Sequence, residues 1–272
     1  MSSKRKLIQD PDALIATQPT LFSLPGVTEG KNWFPPIRRT PEGLEELIEA
    51  ANEPLGTDLE FNPKTNKPSI LGVSTAAETG AVLWSPELAG KVVEQAQKTG
   101  QALVGHSVVG ADRPVYEQAL GIKMPLEMWD DTMVLHYLCN SDFCKTPGKE
   151  EDDDGGAMGL MDLWTMCSLY TDLPVWKSCR GKACSGPCPV DDVFGYCAVD
   201  SWGGLSSFHA LKLDMERKKI PWSLYRELME LSEICTQMED YGIQVDRGYV
   251  DEMEKAFDAK KAELFPFELV NG

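Results

Sequence analysis

The hydrophobic pattern first takes a regular period after Pro35-Pro36-Ile37. Thr40 precedes Pro41, and Leu44, Leu47 and Ile48 then share one helical face, so an N-cap with proline at the first helical position predicts a helix over about 41–52. Pro54 to Phe61, Ser69 to Ser74 and Ala81 to Leu83 read as three short strands divided by Asn, Pro, Lys and Gly, the pattern of an antiparallel meander. A helix over about 86–99 follows. Next come an apolar strand from Ala102 to Gly105, a helix from Arg113 to Leu120, a short strand ending at Met128-Trp129-Asp130-Asp131, and a helix over about 132–140.

Beyond Leu160 the apolar positions turn helical again through Met161, Leu163, Trp164 and Leu169, and residues 177–190 break the pattern. Val190 to Leu213 reads as a helix interrupted at Gly203-Gly204. Another helix covers about 222–241 and stops at Tyr241-Gly242; 247–263 is a final amphipathic helix. Strands paired first in sequence and then alternating with helices imply an α/β fold: a mixed five-stranded sheet, a meander followed by parallel strands, with helices on its faces. Three regions result: an extended leader over 1–34, an α/β domain over 35–213, and a helical extension over 214–272.

Composition changes this picture little. Hydrophobic residues make up 42% and charged ones 25% of 272, ordinary for a globular protein, and no apolar run approaches a membrane span of ~18 residues. The chain reads as cytosolic, with no membrane partner. The formal net charge of −17 argues against nonspecific coating of nucleic acid, which rests on Lys and Arg displacing counterions, but leaves room for an enzyme that grips only a strand end. The run Lys149-Glu150-Glu151-Asp152-Asp153-Asp154 reads as a solvated loop.

The chemistry lies in a few acids. A strand puts residues i and i+2 on one face, so Asp58 and Glu60 can point together; a helix does the same for i and i+4, so Tyr196 and Asp200 share a face. Asp112 stands between these pairs. Clustered carboxylates of this kind suit phosphodiester hydrolysis, where divalent cations must be held against an anionic substrate.

Asp58-Leu59-Glu60, then Gly105-His106-Ser107-Val108-Val109-Gly110-Ala111-Asp112, Trp129-Asp130-Asp131-Thr132-Met133, and Tyr196-Cys197-Ala198-Val199-Asp200 follow in an order that resembles the 3′–5′ proofreading exonuclease domain of family A, DNA polymerase I-like, DNA polymerases. The resemblance runs from about Pro35 to Asp246. Two departures stand out: His106 lies six residues before Asp112 where the family places Asn four before its acid, which an insertion at Val109-Gly110 explains, and Leu59 stands where Thr is common. The resemblance implies a ribonuclease H-like fold. It further implies that Asp58, Glu60, Asp112 and Asp200 bind two Mg²⁺ or Mn²⁺ ions, that Tyr196 orients the attacking water, and that nucleoside 5′-monophosphates leave a single-stranded or frayed DNA 3′ end. The tail from Ile220-Pro221 to Gly242-Ile243-Gln244-Val245-Asp246 resembles the approach to a polymerase thumb, so a polymerase domain, in a longer chain or in trans, is the implied partner, in a bacterial or viral replication setting.

Leu59, Phe61 and His106 are the expected contacts to the strand end, with Trp84 a further aromatic surface for a terminal base. Plainer roles stand beside these: core packing for Leu59, Phe61 and Trp84, a loop hydrogen bond for His106, and helix N-caps for Asp112 and Asp131. Eight cysteines in a cytosolic chain read first as thiols. Cys179, Cys184 and Cys188 nevertheless have spacing within reach of a structural Zn²⁺ or iron–sulfur site. Two other functions remain open: a catalytically silent binding or scaffold module, which degraded carboxylates would mark, and an RNA 3′–5′ exonuclease.

Overall fold

The computed structural model describes residues 35–141, 161–171, 173 and 192–264. The leader, the acidic run at 149–156 and Cys179, Cys184 and Cys188 lie outside the described residues.

Thr40 caps the first helix, α1 (Pro41–Ala50), its Oγ1 accepting the Gly43 N–H at 3.1 Å, and Leu44, Leu47 and Ile48 are buried along one side. The meander follows as β2 (Leu55–Asn62), β3 (Lys67–Ser74) and β4 (Thr79–Leu83). Helix α2 (Pro86–Thr99) starts at the Ser85 cap and ends at Gly100, which takes the left-handed conformation (φ 66°) that glycine tolerates. Then come β5 (Leu103–Gly105), α3 (Asp112–Leu120), β6 (Trp129–Asp131), α4 (Thr132–Cys139) and α5 (Leu163–Tyr170).

Among the described residues the sheet has six strands rather than five: with β1 at Ile37–Arg38, the order is β1-β4-β3-β2-β5-β6. The added strand is β1 (Ile37–Arg38), two residues lying parallel to Thr79 and Gly80; so short a piece has no period for a sequence to display. β2, β3 and β4 are antiparallel, and β2, β5 and β6 run parallel, as expected.

The two faces of the sheet follow from alternation along β2. Thr57 bonds the hydroxyl of Tyr116 on α3 at 2.8 Å, so Thr57 and Leu59 face the layer of α1, α2 and α3. Asp58 and Glu60 face the other side, where α6 (Val193–Lys218) crosses β2 to β5 with α4 and α5 beside it. The interruption expected at Gly203-Gly204 is absent: α6 is continuous for 26 residues, and both glycines are buried within it. A Cβ on Gly204 would stand 3.8 Å from the Cα of Gly105 in β5. Glycine weakens a helix by ~1 kcal/mol, which close packing on a sheet readily offsets.

The boundary expected at Leu213 falls inside α6, and the compact unit continues to Glu233. Its last segment is the first half of α7 (Trp222–Tyr241), where Tyr225 and Met229 are fully buried. A second unit begins at Ile234 and includes α8 (Arg247–Leu264). Gly242 (φ 67°) closes α7 where a stop was expected, and Asp246 caps α8 by accepting the Tyr249 N–H at 3.1 Å. Among the described residues no helix is long and apolar enough to cross a membrane.

Candidate active site

Asp58 and Glu60 stand in the middle of β2, on the face toward α6. Asp200 lies on that helix one turn after Tyr196, and is 6% exposed. Asp112 approaches from the first turn of α3 and is 5% exposed. It is not the N-cap, a position held by Ala111. Its Oδ1 instead accepts the N–H of Leu59 at 2.8 Å, which pins α3 to the strand between Asp58 and Glu60.

The electrostatics show that these four acids share one neighbourhood. Asp58 keeps some solvent-facing surface, yet protein surrounds it closely enough that burial drives its carboxyl well above the usual range; Asp200, Asp112 and Glu60, in that order, push it further. Asp112 is pushed up to about 7, chiefly by burial, against the opposing pull of the Leu59 N–H. The thiol of Cys197, between Tyr196 and Asp200, is raised by burial and then by Asp58 and Glu60, and its Sγ donates to the Asp58 carbonyl at 3.5 Å.

Among the described residues no group of three or more His, Cys, Asp or Glu side chains is already arranged as a metal cage. Shared field and closed cage are different properties, and the first is the one present. The donor set nonetheless fits hard divalent cations: Asp58, Glu60, Asp112 and Asp200 offer only oxygen, and their mutual repulsion is what a bound cation relieves.

The expected contact residues divide. Leu59 points away from Asp58 into the opposite layer and is 5% exposed, so its contribution to this region is the backbone N–H held by Asp112. Phe61 and Trp84 are half-buried and pack against the main core. A β-bulge between Glu60 and Phe61 ends the regular register beside the acids. Tyr196 is half-buried against the same core. His106 lies in the loop before α3, its Nδ1 3.0 Å from Thr132 Oγ1. Because the Thr132 hydroxyl donates to the Gly105 carbonyl, Nδ1 is the donor in the His106 contact.

Sequence reading underrated Asp131. It caps α4 through Met133 N–H (2.9 Å), as expected, but also accepts the N–H groups of Ser107 (2.9 Å) and Val109 (3.3 Å), fixing the loop that delivers Asp112. Ser107 takes a left-handed φ of 61° in that loop. The carboxylate is 1% exposed, and burial raises its pKa despite these donors. The strand-ending Asp followed by Thr was the visible signal; the second set of partners was not.

No protein-family model matches the sequence, and no curated protein matches it. Solved structures do. Brucella melitensis NrnC aligns with a TM-score of 0.51 at 14% identity, covering 76% of this chain and 92% of its own. A structure described as the apo form of the nuclease aligns at 0.50 and 12% identity, covering 78% of this chain and 98% of that one. The fold is ribonuclease H-like. In this ribonuclease H-like fold Asp58 and Glu60 of the central strand face α6, and Asp112 of α3 joins the strand through the Leu59 N–H.

Proposed function

We propose that this chain is a metal-dependent 3′–5′ exonuclease that removes nucleotides from the 3′ end of DNA. The observation that supports it most is the field at Asp58: beyond burial, carboxylates from three separated segments, Asp200, Asp112 and Glu60, all raise its carboxyl. A scaffold under no catalytic demand has little reason to keep four such groups together, because crowded like charges destabilise the fold.

In this reading Asp58, Glu60, Asp112 and Asp200 would hold two Mg²⁺ or Mn²⁺ ions, which would neutralise charge and make a water more nucleophilic. The Tyr196 hydroxyl, one helical turn from Asp200, orients that water toward phosphorus. Water oxygen joins phosphorus, the bond from phosphorus to the departing 3′ oxygen breaks, and that oxygen takes a proton. The product is a nucleoside 5′-monophosphate. Phe61, Trp84 and His106 border the strand end, while Leu59 acts through its backbone. DNA, and a proofreading role, rest on the motif order from Asp58 through Asp131-Thr132-Met133 to Asp200.

The test incubates the protein with end-labelled single-stranded DNA and RNA, with Mg²⁺ and with chelator, beside Asp58→Ala and Asp200→Ala. Stepwise shortening from the DNA 3′ end is expected, lost with chelator and lowered by orders of magnitude in both variants. No shortening of either polymer would overturn the proposal, and shortening of RNA alone would replace its substrate.

A further inference from the structure

Helix α6 packs directly on the sheet, and glycines allow its close approach. Gly72 is the partner of Asp58 across the β2–β3 ladder. A Cβ on Gly72 would stand 2.8 Å from both the carbonyl oxygen and the Sγ of Cys197, contacts real side chains do not make. One turn along, a Cβ on Gly56 would stand 2.5 Å from the Ser201 carbonyl and 2.2 Å from Ser74 Oγ. The turn resting on these two glycines, Cys197 to Ser201, begins just after Tyr196 and contains Asp200. We infer that Gly72 is a positioning residue: its missing side chain sets the separation between Asp58 on the sheet and the Tyr196–Asp200 turn of α6.

This inference rests on the metal-binding reading of the carboxylates. Its physical basis is that a backbone carbonyl cannot rotate away from a new methyl as a flexible side chain can. Moving from 2.8 Å to the 3.4 Å at which ordinary contact begins shifts helix or strand by about 0.6 Å. Functional constellations tolerate ~0.5 Å, and a misplacement of ~1 Å can cost on the order of 10²-fold. A methyl at Gly72 therefore weakens metal binding on the order of tenfold. Gly80 provides the comparison. A Cβ there would stand 2.8 Å from the Arg38 carbonyl in the neighbouring strand β1, an equal clash, and 2.9 Å from Leu44 of α1 on the face away from α6.

The experiment titrates Mn²⁺ into metal-free full-length protein by calorimetry, for wild type, Gly72→Ala and Gly80→Ala, with melting curves and DNA cleavage in parallel. Wild-type Mn²⁺ affinity is expected in Gly80→Ala, and an affinity about tenfold weaker in Gly72→Ala at a comparable loss of melting temperature. Unchanged affinity in Gly72→Ala, or equal weakening in Gly80→Ala, overturns the inference while leaving the exonuclease reading intact. A wild type that neither binds Mn²⁺ nor cleaves overturns that reading, and this one with it. Should Gly72→Ala not fold, Cys197→Val crowds the same contact from the helix side; weakened Mn²⁺ binding there supports the inference and wild-type binding overturns it.

Discussion

Asp58 is held in a field it would escape by taking up a proton, because burial and the charges of Asp200, Asp112 and Glu60 all oppose its ionisation. Replacing it with Asn removes one of the crowded charges. Asp58→Asn should therefore melt higher than wild type in the absence of divalent ions, yet gain less than wild type when Mn²⁺ is added. Differential scanning calorimetry with and without Mn²⁺ checks both signs. Tyr196→Phe removes only the hydroxyl, so its loss of turnover should be smaller than that of a lost carboxylate, about 10²-fold, with Mn²⁺ affinity kept. Unchanged kinetics would assign Tyr196 to core packing alone. At this scale the carboxylates were legible because the i, i+2 and i, i+4 spacings are themselves geometric statements. Leu59 was misjudged although the same alternation places it opposite Asp58.

Elements were legible where a period spans several turns or a cap marks an end, as at Thr40 and Gly242. The continuity of α6 was not, because what offsets Gly203 and Gly204 is a sheet distant in sequence. The loop before α3 belongs to the same class. Its N–H groups at Ser107 and Val109 end on Asp131, so Asp131→Ala should leave several buried donors without an acceptor, at about 1–3 kcal/mol each. Urea unfolding measures this, and a change below that of a single lost bond would contradict the brace. Neighbouring Asp130 carries a pH signature. Burial raises its pKa to about 6 although Arg226 (2.7 Å) and the Tyr225 hydroxyl (3.1 Å) favour the charged form. The native state thus binds more protons than the unfolded chain between pH ~4 and ~6, so this contribution to stability is full below ~4 and is lost as pH rises through ~6. Relative to Asp130→Asn, wild type should lose on the order of 2–3 kcal/mol across that window, measured by denaturant unfolding at each pH.

At the scale of the molecule, the proposed exonuclease reading asks a chain of net charge −17 with an acid-lined site to take a polyanion. Arg113, next to Asp112, is engaged by Glu117 (3.1 Å) and Glu233 (2.8 Å), and Arg226 by Asp130, so these guanidinium groups are already committed within the fold. Binding to single-stranded DNA should depend on divalent ions and show a shallow dependence on monovalent salt, near one or two released counterions, each giving a slope of about −0.7. Fluorescence anisotropy across a salt series reads the slope. Tight, steeply salt-dependent binding to blunt duplex without divalent ions would contradict a site that takes only a strand end.

The first half of α7 also decides where this chain can be divided. The Tyr225 hydroxyl receives the Asp131 N–H at 2.8 Å, and Glu233 holds Arg113, so this helix secures both the residue that braces the Asp112 loop and the residue after Asp112 itself. A fragment ending at Leu213 keeps all four acids and Tyr196, but removes Tyr225, Arg226, Met229 and Glu233, and with them the contacts to Asp130, Asp131 and Arg113. The smallest piece that keeps these braces therefore extends through Glu233, and a domain trimmed at the last acid-bearing helix would retain all four acids while losing the means to align them.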